Sequence, residues 1–370
     1  MSLKNLLFFV LAVVHLAAFS QNQELSKTIV VSGGNYSNPN EHVAVGYFDQ
    51  DPGDYHVFDS IYTQSVQSSL VDANRLFVTA GDSIVSYDLE TFERLAAASF
   101  EGLNHLAVSG NKLLVTRQYP VTTESLLILD KQTLELSTLI ELSGEAAGMA
   151  IDGDSAYVAV PGAWGTSNGR IAVVDLSGET LSREINLGTE AQGTKELFIR
   201  NFTLYAVNTH FSDYEANTFS VTALDLFSGT FETDILEGDY YGYYGNSVMT
   251  DSAIVIPVSS GMASYNVFSQ EADPGFMSIV PSAVAFDHVD GQYHITTSDY
   301  STYGDYQVYN QNGETVSQTF ETGISPEAIS LQYHVSNEFT LDEVEFWVGE
   351  GPKEALLVID WNDGVEPVSL

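Results

Sequence analysis

Apolar runs of strand length alternate with short polar turns along most of the chain, and the pattern repeats. Its clearest marker is an apolar residue, then Asp or Asn, then a polar turn. The marker occurs seven times, at Phe48-Asp49, Tyr87-Asp88, Leu129-Asp130, Val174-Asp175, Leu224-Asp225, Tyr265-Asn266 and Tyr309-Asn310. Successive markers lie about 40 to 50 residues apart, and strand-type repeats of that length are typical of propeller blades.

Each repeat divides into four short strands. In the third repeat these are residues 105–108, 112–116, 126–129 and 134–142. The second strands, such as Leu76–Thr79 of the second repeat, are nearly continuous apolar runs. Such runs indicate strands that are covered on both faces, as they would be between neighbouring blades.

The two ends of the repeat region complement each other. Thr28–Val31 has the pattern of a second strand without a first, and Ala328–Leu331 has the pattern of a first strand without a second. Pairing them would complete one blade and remove exposed sheet edges. We therefore predict an all-β fold: a seven-bladed β-propeller with four-stranded blades over residues 21–334, closed by its N- and C-terminal strands.

Residues 1–20 have the features of a secretory signal peptide. Lys4 is followed by the apolar run 6–18, and small residues at Ala18 and Ser20 predict cleavage before Gln21. No other stretch is apolar for long enough to span a membrane. We therefore expect an exported protein, located in the periplasm, at the cell surface or outside the cell.

Residues 335–370 do not fit an eighth repeat. They contain two strand-like runs, Glu343–Val348 and Ala355–Asp360, around a Gly-Glu-Gly-Pro turn. A two-stranded ribbon alone is marginally stable. We interpret this segment as the start of an incomplete C-terminal β module.

Composition excludes several classes of function. The net charge is −38, from 12 Lys and Arg against 50 Asp and Glu, so binding to nucleic acid is not expected. The acidity is interpreted as a solubility feature; cation binding is the alternative, although no segment has the order of a calcium loop. The absence of cysteine excludes disulfides, thiolate catalysis and zinc–thiolate sites.

One end of the predicted ring would carry the second-to-third-strand loops and the blade-to-blade connections. These segments are longer than the turns at the other end, and function concentrates in such loops. They are rich in aromatic residues and histidine, which offer flat apolar surfaces with polar tips. The candidate ligand-binding residues are Tyr36, Tyr119, Trp164, His210, Phe211, Tyr214, Tyr240, Tyr241, Tyr243, Tyr244, Tyr300, Tyr303 and Tyr306. The alternative is that these rings only pack the loops together.

Cations are scarce, which gives their placement some weight. Arg117, Arg170 and Lys195 fall in or beside the same loops, where each could meet a phosphate or carboxamide oxygen or simply neutralise acidic neighbours. No catalytic motif is present. His105 could also reach this face, whereas His294 lies within a second strand and is expected to be a hydrogen-bonded interior group.

The repeat style over residues 26–334 resembles the YVTN/YncE-like surface propellers of Gram-negative bacteria. The tail sequences Phe346–Gly351 and Ala355–Gly364 are similar to the start of a β module in exported proteins linked to cobalamin uptake. Propellers of this kind include cobalamin-binding proteins that cap outer-membrane vitamin B12 transporters. The resemblance implies a corrinoid held on a face rich in aromatic and polar side chains. Those propellers are usually lipoproteins, and this chain has no cysteine to acylate.

We therefore predict non-catalytic capture of a small or medium ligand, with cobalamin as the leading ligand and no cofactor or metal. An outer-membrane transporter is the expected partner, and the ring is expected to be monomeric. Alanine at the four tyrosines of 240–244 should weaken binding. Two other classes stay open. One is a surface protein that binds another protein; the other is a hydrolase or lyase, for which His105 and Glu196 are the candidates at the channel mouth.

Overall fold

The computed structural model describes residues 22–49, 53–162, 168–212, 216–236 and 246–336, without the side chains of 22, 210–218, 335 and 336. Within these residues, 28 strands form seven four-stranded antiparallel sheets arranged in a ring. One 3-10 turn, Thr189–Ala191, is present in the same part of the chain. None of the described helical structure is long and apolar enough to cross a membrane. The predicted seven-bladed β-propeller is confirmed.

The blades follow one another along the chain, and each is a simple antiparallel meander. The first blade is the exception, because its innermost strand comes from the C-terminal end of the propeller sequence. It comprises β28 (Pro326–Ser336), β1 (Asn22–Ser32), β2 (Val43–Asp49) and β3 (His56–Ile61). The second blade comprises β4 (Val66–Asp72), β5 (Arg75–Ala80), β6 (Ser83–Asp88) and β7 (Arg94–Ser99). The third comprises β8 (Leu103–Ser109), β9 (Lys112–Arg117), β10 (Leu126–Asp130) and β11 (Leu136–Ile140).

The remaining four blades repeat the same order from the inner to the outer strand. The fourth blade comprises β12 (Met149–Asp152), β13 (Ser155–Ala159), β14 (Gly169–Asp175) and β15 (Thr180–Gly188). The fifth comprises β16 (Thr194–Arg200), β17 (Thr203–Ser212), β18 (Ala216–Asp225) and β19 (Phe231–Leu236). The sixth comprises β20 (Val248–Met249), β21 (Ala253–Val258), β22 (Gly261–Asn266) and β23 (Ala272–Met277). The seventh comprises β24 (Ala283–Asp287), β25 (Gln292–Thr297), β26 (Tyr303–Asn310) and β27 (Phe320–Ile324).

The ring closes as the end-strand patterns predict, because β28 lies next to β1 in the first blade. The inner strand β28 also bonds to the second blade. Ser330 Oγ lies 2.6 Å from Ser69 Oγ, and Gln332 Nε2 donates to Asn74 Oδ1 at 3.1 Å. The C-terminal strand therefore joins the first blade to its neighbour by side-chain contacts as well as by sheet pairing.

The core lies between the blades, where apolar side chains of neighbouring sheets meet. Leu114 and Ile128 of the third blade share one buried cluster with Val158 and Ala172 of the fourth, and all four are fully buried. The second and third strands are covered on both faces, which explains their continuous apolar runs. Burial of this surface is the dominant favourable contribution to folding.

The Asp or Asn of the repeat marker has a structural task at the turn between the third and fourth strands. Asp88 Oδ1 accepts the backbone N–H groups of Glu90 and Thr91 at 2.8 and 2.9 Å. The same pair of bonds occurs at Asp130 and Asp225, and at Asn266 in the sixth blade. These Asx turns replace backbone bonds that the tight turn cannot make.

The predicted signal peptide at 1–20 lies outside the described residues, and so does the predicted C-terminal β module beyond residue 336. Both stay predictions. The last described strand, β28, runs to Ser336, two residues beyond the predicted end of the ring.

Candidate functional site

The two ends of the ring differ in their connections. We call "loop face" the end that carries the second-to-third-strand loops and the blade-to-blade connections, and "turn face" the other end. Among the fully described second-to-third-strand loops, 33–42 and 118–125 are long, as predicted, whereas 81–82 and 259–260 contain only two residues. The loop face is therefore raised in some blades and low in others.

Several predicted tyrosines present their rings to solvent on the loop face. Tyr36 is 82% exposed and Tyr119 is 71% exposed, and both lie within loops. Tyr300 is half exposed and lies in the loop 298–302, while the exposed Tyr303 begins β26. Trp164, Tyr214, Tyr240, Tyr241, Tyr243 and Tyr244 lie outside the described residues, and of His210 and Phe211 only the backbone in β17 is described.

One exposed tyrosine of the loop face was missed by sequence reasoning. Tyr62, in the connection between the first two blades, is 87% exposed, and its ring lies 4.9 Å from the ring of His42. Its position directly after the strand that ends at Ile61 was the available signal. Tyr300, Tyr36 and Tyr62 lie on loops that bond to one another, and we call these three residues the tyrosine arc.

Hydrogen bonds fix the loops that carry the tyrosine arc. Asn35 Nδ2 donates to the carbonyl of Ser301 at 3.0 Å, which ties the first-blade loop to the seventh-blade loop. Gln64 Nε2 lies 2.7 Å from the carbonyl oxygen of Asn35 and also approaches two further carbonyls of the same loop, at 2.5 and 2.8 Å. The two backbone N–H groups that Asp299 accepts lower the pKa of its carboxyl to about 2. These loops are preorganised.

Arg117 fixes the loop that carries Tyr119 by hydrogen bonds to backbone carbonyls. Its guanidinium donates through Nε to the carbonyl of Glu101 at 2.8 Å and through a terminal nitrogen to the carbonyl of Glu124 at 3.2 Å. The residue is only 9% exposed. These bonds give Arg117 a scaffolding task, and a direct contact with ligand stays a prediction. Arg170, the other arginine of this face, lies 3.8 Å from the carboxylate of Glu184.

The inner strands bring His105, Lys195 and Glu196 together near the loop-face end of the channel. His105 lies on β8 of the third blade, and its Nε2 lies 3.9 Å from Glu196 Oε1 on β16 of the fifth blade. The contact crosses the intervening fourth blade at Gly148. A Cβ at that position would lie 2.8 Å from Glu196 Oε2, so the absence of a side chain keeps this space open.

The three side chains form a mostly buried charged group. Burial, followed by the positive charge of Lys195, lowers the pKa of His105 to about 4, so its imidazole is neutral at pH 7. Burial also lowers the pKa of Lys195, and the carboxylate of Glu196 opposes that shift. The group brings an imidazole, an amine and a carboxylate together, which are hydrogen-bond donors and acceptors. No cluster of three or more metal-ligating side chains occurs among the described residues.

Two residues from the sequence analysis lie elsewhere. Tyr306 is not in a loop: it is part of β26, 1% exposed, and its hydroxyl lies 2.7 Å from His294 Nδ1. The expectation of a loop position was wrong because the strand begins earlier than the alternation indicated. His294 is buried as expected, but its Nε2 has no hydrogen-bond partner in the described part of the chain.

Tyr303 faces a cleft on the side of the ring, between the seventh and first blades. The cleft has a volume of about 380 Å³. Its lining includes Asp54, Tyr55, Glu321 and Thr322 and contains no cation. Tyr303 therefore belongs to a different surface from the tyrosine arc, even though both lie near the loop face.

The comparisons with known proteins concern the fold. No protein-family model and no curated protein matches the chain. Among solved structures, a hypothetical selenium-binding protein from Sulfolobus tokodaii superimposes with a TM-score of 0.65 at 10% identity, covering 87% of this chain and 97% of the other. A candidate 6-phosphogluconolactonase from Bacteroides fragilis gives 0.62 at 12% identity, covering 84% and 99%.

A third similar structure is the extracellular domain of a candidate one-component system from Bacteroides thetaiotaomicron. Its TM-score is 0.56 at 9% identity, and the match covers 80% of this chain and 42% of the other. Identities this low carry information on architecture only, since one fold hosts many unrelated functions. The chain is therefore a seven-bladed β-propeller with structural neighbours of the 6-phosphogluconolactonase type.

Proposed function

We propose that the protein captures a ligand on its loop face without transforming it. The observation that carries the proposal is the tyrosine arc, in which three exposed rings stand on loops that are fixed by internal hydrogen bonds. Exposed aromatic rings are costly to leave in water, and rigid rings bind at low entropic cost. Preorganised loops with exposed rings are typical of a binding surface.

The ligand class that fits best is a corrinoid such as cobalamin. Its broad, largely apolar ring system can lie against tyrosine rings, and its peripheral amides need donors and acceptors. The group of His105, Lys195 and Glu196 supplies such polar atoms at the channel mouth. The corrinoid assignment also rests on the resemblance of the repeats and of the C-terminal tail to cobalamin-linked exported proteins.

The cellular role follows from the same proposal. The signal-peptide pattern at residues 1–20 supports export, and a captured corrinoid would pass to an outer-membrane transporter. Capture outside the cell needs no chemistry on the ligand. This agrees with the absence of a recognised catalytic motif in the sequence.

Titration calorimetry of the full-length protein with cyanocobalamin tests the proposal. We expect one-to-one binding, and replacement of Tyr36, Tyr62 and Tyr300 together by serine should weaken it. About 1 kcal/mol per aromatic contact corresponds to a loss on the order of 100-fold for the three. The matched triple phenylalanine variant keeps the ring faces and should retain most of the affinity.

The two parts of the proposal fail in different ways. If cyanocobalamin gives no heat of binding at high micromolar concentration, the corrinoid assignment falls. If it binds and the serine variant binds equally well, the corrinoid assignment stands and the tyrosine arc is not the site.

A further inference from the structure

The turn face carries three exposed phenylalanines in the fifth and sixth blades. Phe227 is 98% exposed, Phe202 is 76% exposed and Phe268 is 64% exposed. Each stands at a turn between two strands of its blade. We call these three residues the phenylalanine patch. Exposed phenylalanines grouped at one place on a surface mark an interaction site more often than isolated ones do.

Comparison of the blades shows that the turns do not require phenylalanine. Phe227 and Phe268 stand two residues after the Asp or Asn of the marker, and their N–H groups donate to it at 2.9 Å. The same position holds a polar residue in four other blades, namely Glu90, Gln132, Ser177 and Asn312. The backbone bond forms with those residues as well, so the aromatic side chain serves another purpose.

Phe202 occupies a backbone conformation that disfavours it. Its φ is +62°, in the left-handed region, where a bulky side chain is an outlier. The corresponding residues of the second, third and fourth blades, Asn74, Asn111 and Asp154, do not have a positive φ; in those turns only the residue before them does. Because the phenyl group of Phe202 is mostly exposed, packing against the blades does not compensate for the backbone strain.

Hydrogen bonds and an arginine connect the three phenylalanines across two blades. The carbonyl of Phe202 accepts the N–H of Leu226 at 2.9 Å, so its turn lies beside the turn of Phe227. Arg200 donates to the carbonyl of Thr250 in the sixth blade at 3.0 Å, and its guanidinium carbon lies 5.4 Å from the centre of the Phe268 ring. The patch is therefore continuous from the fifth to the sixth blade.

Apart from Arg200, the charged side chains around the patch are acidic. No Lys or Arg occurs between Arg200 and Lys353 in the sequence. Exposed carboxylates surround the phenylalanines on the same turns and strand ends, namely Asp225, Glu232, Asp251 and Glu271. An apolar centre with an acidic rim is complementary to a partner that combines apolar and basic side chains.

A second copy of the chain would fit this rim poorly. Three of its turn-face cations are already paired with carboxylates: Lys131 with Asp72 at 2.6 Å, Arg94 with Asp59 at 2.5 Å, and Lys112 with Glu179. The net charge of −38 also opposes self-association. The same field repels an anionic lipid surface.

We propose that the phenylalanine patch is a docking surface for a protein segment that carries Lys or Arg together with apolar side chains. The aromatic tips would enter the apolar part of the partner, and the acidic rim would bind its cations. The surface lies on the opposite end of the ring from the tyrosine arc. A partner could therefore bind while the loop face holds a ligand.

The test uses a synthetic fluorescent peptide of alternating leucine and lysine, with a leucine–glutamate peptide as control. We expect anisotropy to show binding of the leucine–lysine peptide only, weakened by salt. The variant Phe202→Asn, Phe227→Ser, Phe268→Gln gives each position a residue type found at the same turn in another blade. It should keep the fold and weaken binding about tenfold or more. The variant Tyr36→Ser, Tyr62→Ser, Tyr300→Ser removes as many exposed rings from the loop face and should bind normally.

Several results would overturn the proposal. Equal affinity of the patch variant and the parent protein would mean that the peptide responds to net charge alone, and an absence of binding would remove the surface altogether. Concentration-dependent dimers that the patch variant loses would make the patch an interface between copies. Patch-dependent sedimentation with phosphatidylcholine vesicles would assign it to a lipid surface.

Discussion

At the scale of single residues, Phe202 is where local strain and exposure coincide most clearly. A left-handed conformation costs an L residue on the order of 1 kcal/mol, a cost that glycine avoids. Glycine also gains freedom in the unfolded state, so Phe202→Gly should have a free energy of unfolding about 1 kcal/mol above that of a glycine variant at an unstrained position, as measured by urea denaturation. Phe227→Gly is the matched control, because Phe227 is as exposed but is not among the residues with positive φ. The control should lose stability, because it relieves no strain and glycine favours the unfolded state.

A loss of stability in Phe202→Gly equal to that of the control would contradict this account. It would show that the ring of Phe202 packs against the protein in solution. A gain in stability over the control combined with weaker peptide binding would instead show that the chain retains a strained residue for the sake of its surface.

The hydrogen-bond partners of single side chains were the hardest features to predict from the sequence. The position of Arg117 at the loop face could be inferred from the repeat, but the direction of its guanidinium could not. That direction depends on two carbonyls, of Glu101 and Glu124, which only the folded loops bring together. Gln64 gave no signal at all, since three of its contacts are with backbone atoms of another loop.

At the scale of strands and turns, prediction from the sequence worked because the physical signals are local. Continuous apolar runs mark strands covered on both faces, and the Asp or Asn marker reports an Asx turn that the structure contains at Asp88, Asp130, Asp225 and Asn266. Loop lengths were less predictable. The two-residue loops 81–82 and 259–260 follow strands that extend further than their apolar patterns indicate.

Closure of the ring was also predictable, although it joins residues about 300 positions apart in the sequence. The prediction needed only the incomplete patterns at the two chain ends and the cost of an exposed sheet edge. The juxtaposition of His105 with Glu196 was not predictable to the same degree. It depends on Gly148 of the blade between them, which leaves room for the contact.

At the scale of the whole molecule, buried histidines make stability depend on pH. Burial lowers the pKa of His294 to about 4, against about 6.5 in an unfolded chain. The unfolded state therefore binds the proton first. The stability associated with a neutral His294 is fully present above pH 6.5 and is lost as the pH falls toward 4. His105, whose pKa is also lowered to about 4, acts in the same direction.

We expect the free energy of unfolding to fall by about 2 kcal/mol per buried histidine between pH 6.5 and 4.5. Urea denaturation at several pH values in this range measures the slope of the free energy of unfolding against pH. His294→Gln should reduce the slope whatever it does to the stability at neutral pH. His288→Gln, at an exposed histidine of the same blade, is the matched control for the substitution itself. An unchanged slope in His294→Gln would contradict the prediction.

The two ends of the ring expose different side chains. The loop face carries exposed tyrosines on fixed loops, and the turn face carries exposed phenylalanines within an acidic rim. The negative charge of the ring is densest after residue 200, because no Lys or Arg occurs between Arg200 and Lys353. A propeller with separate binding surfaces at its two ends can hold a ligand and a protein partner at once.

Hydrogen–deuterium exchange of the full-length protein, with and without saturating cyanocobalamin, tests the central claim most directly, because it localises the ligand. We predict slower exchange in the loops 33–42, 62–65 and 298–302, which carry the tyrosine arc, and no change in the turn-face segments 73–74 and 226–229. Protection confined to the turn face, or no protection at saturating ligand, would contradict the assignment of the loop face as the binding surface.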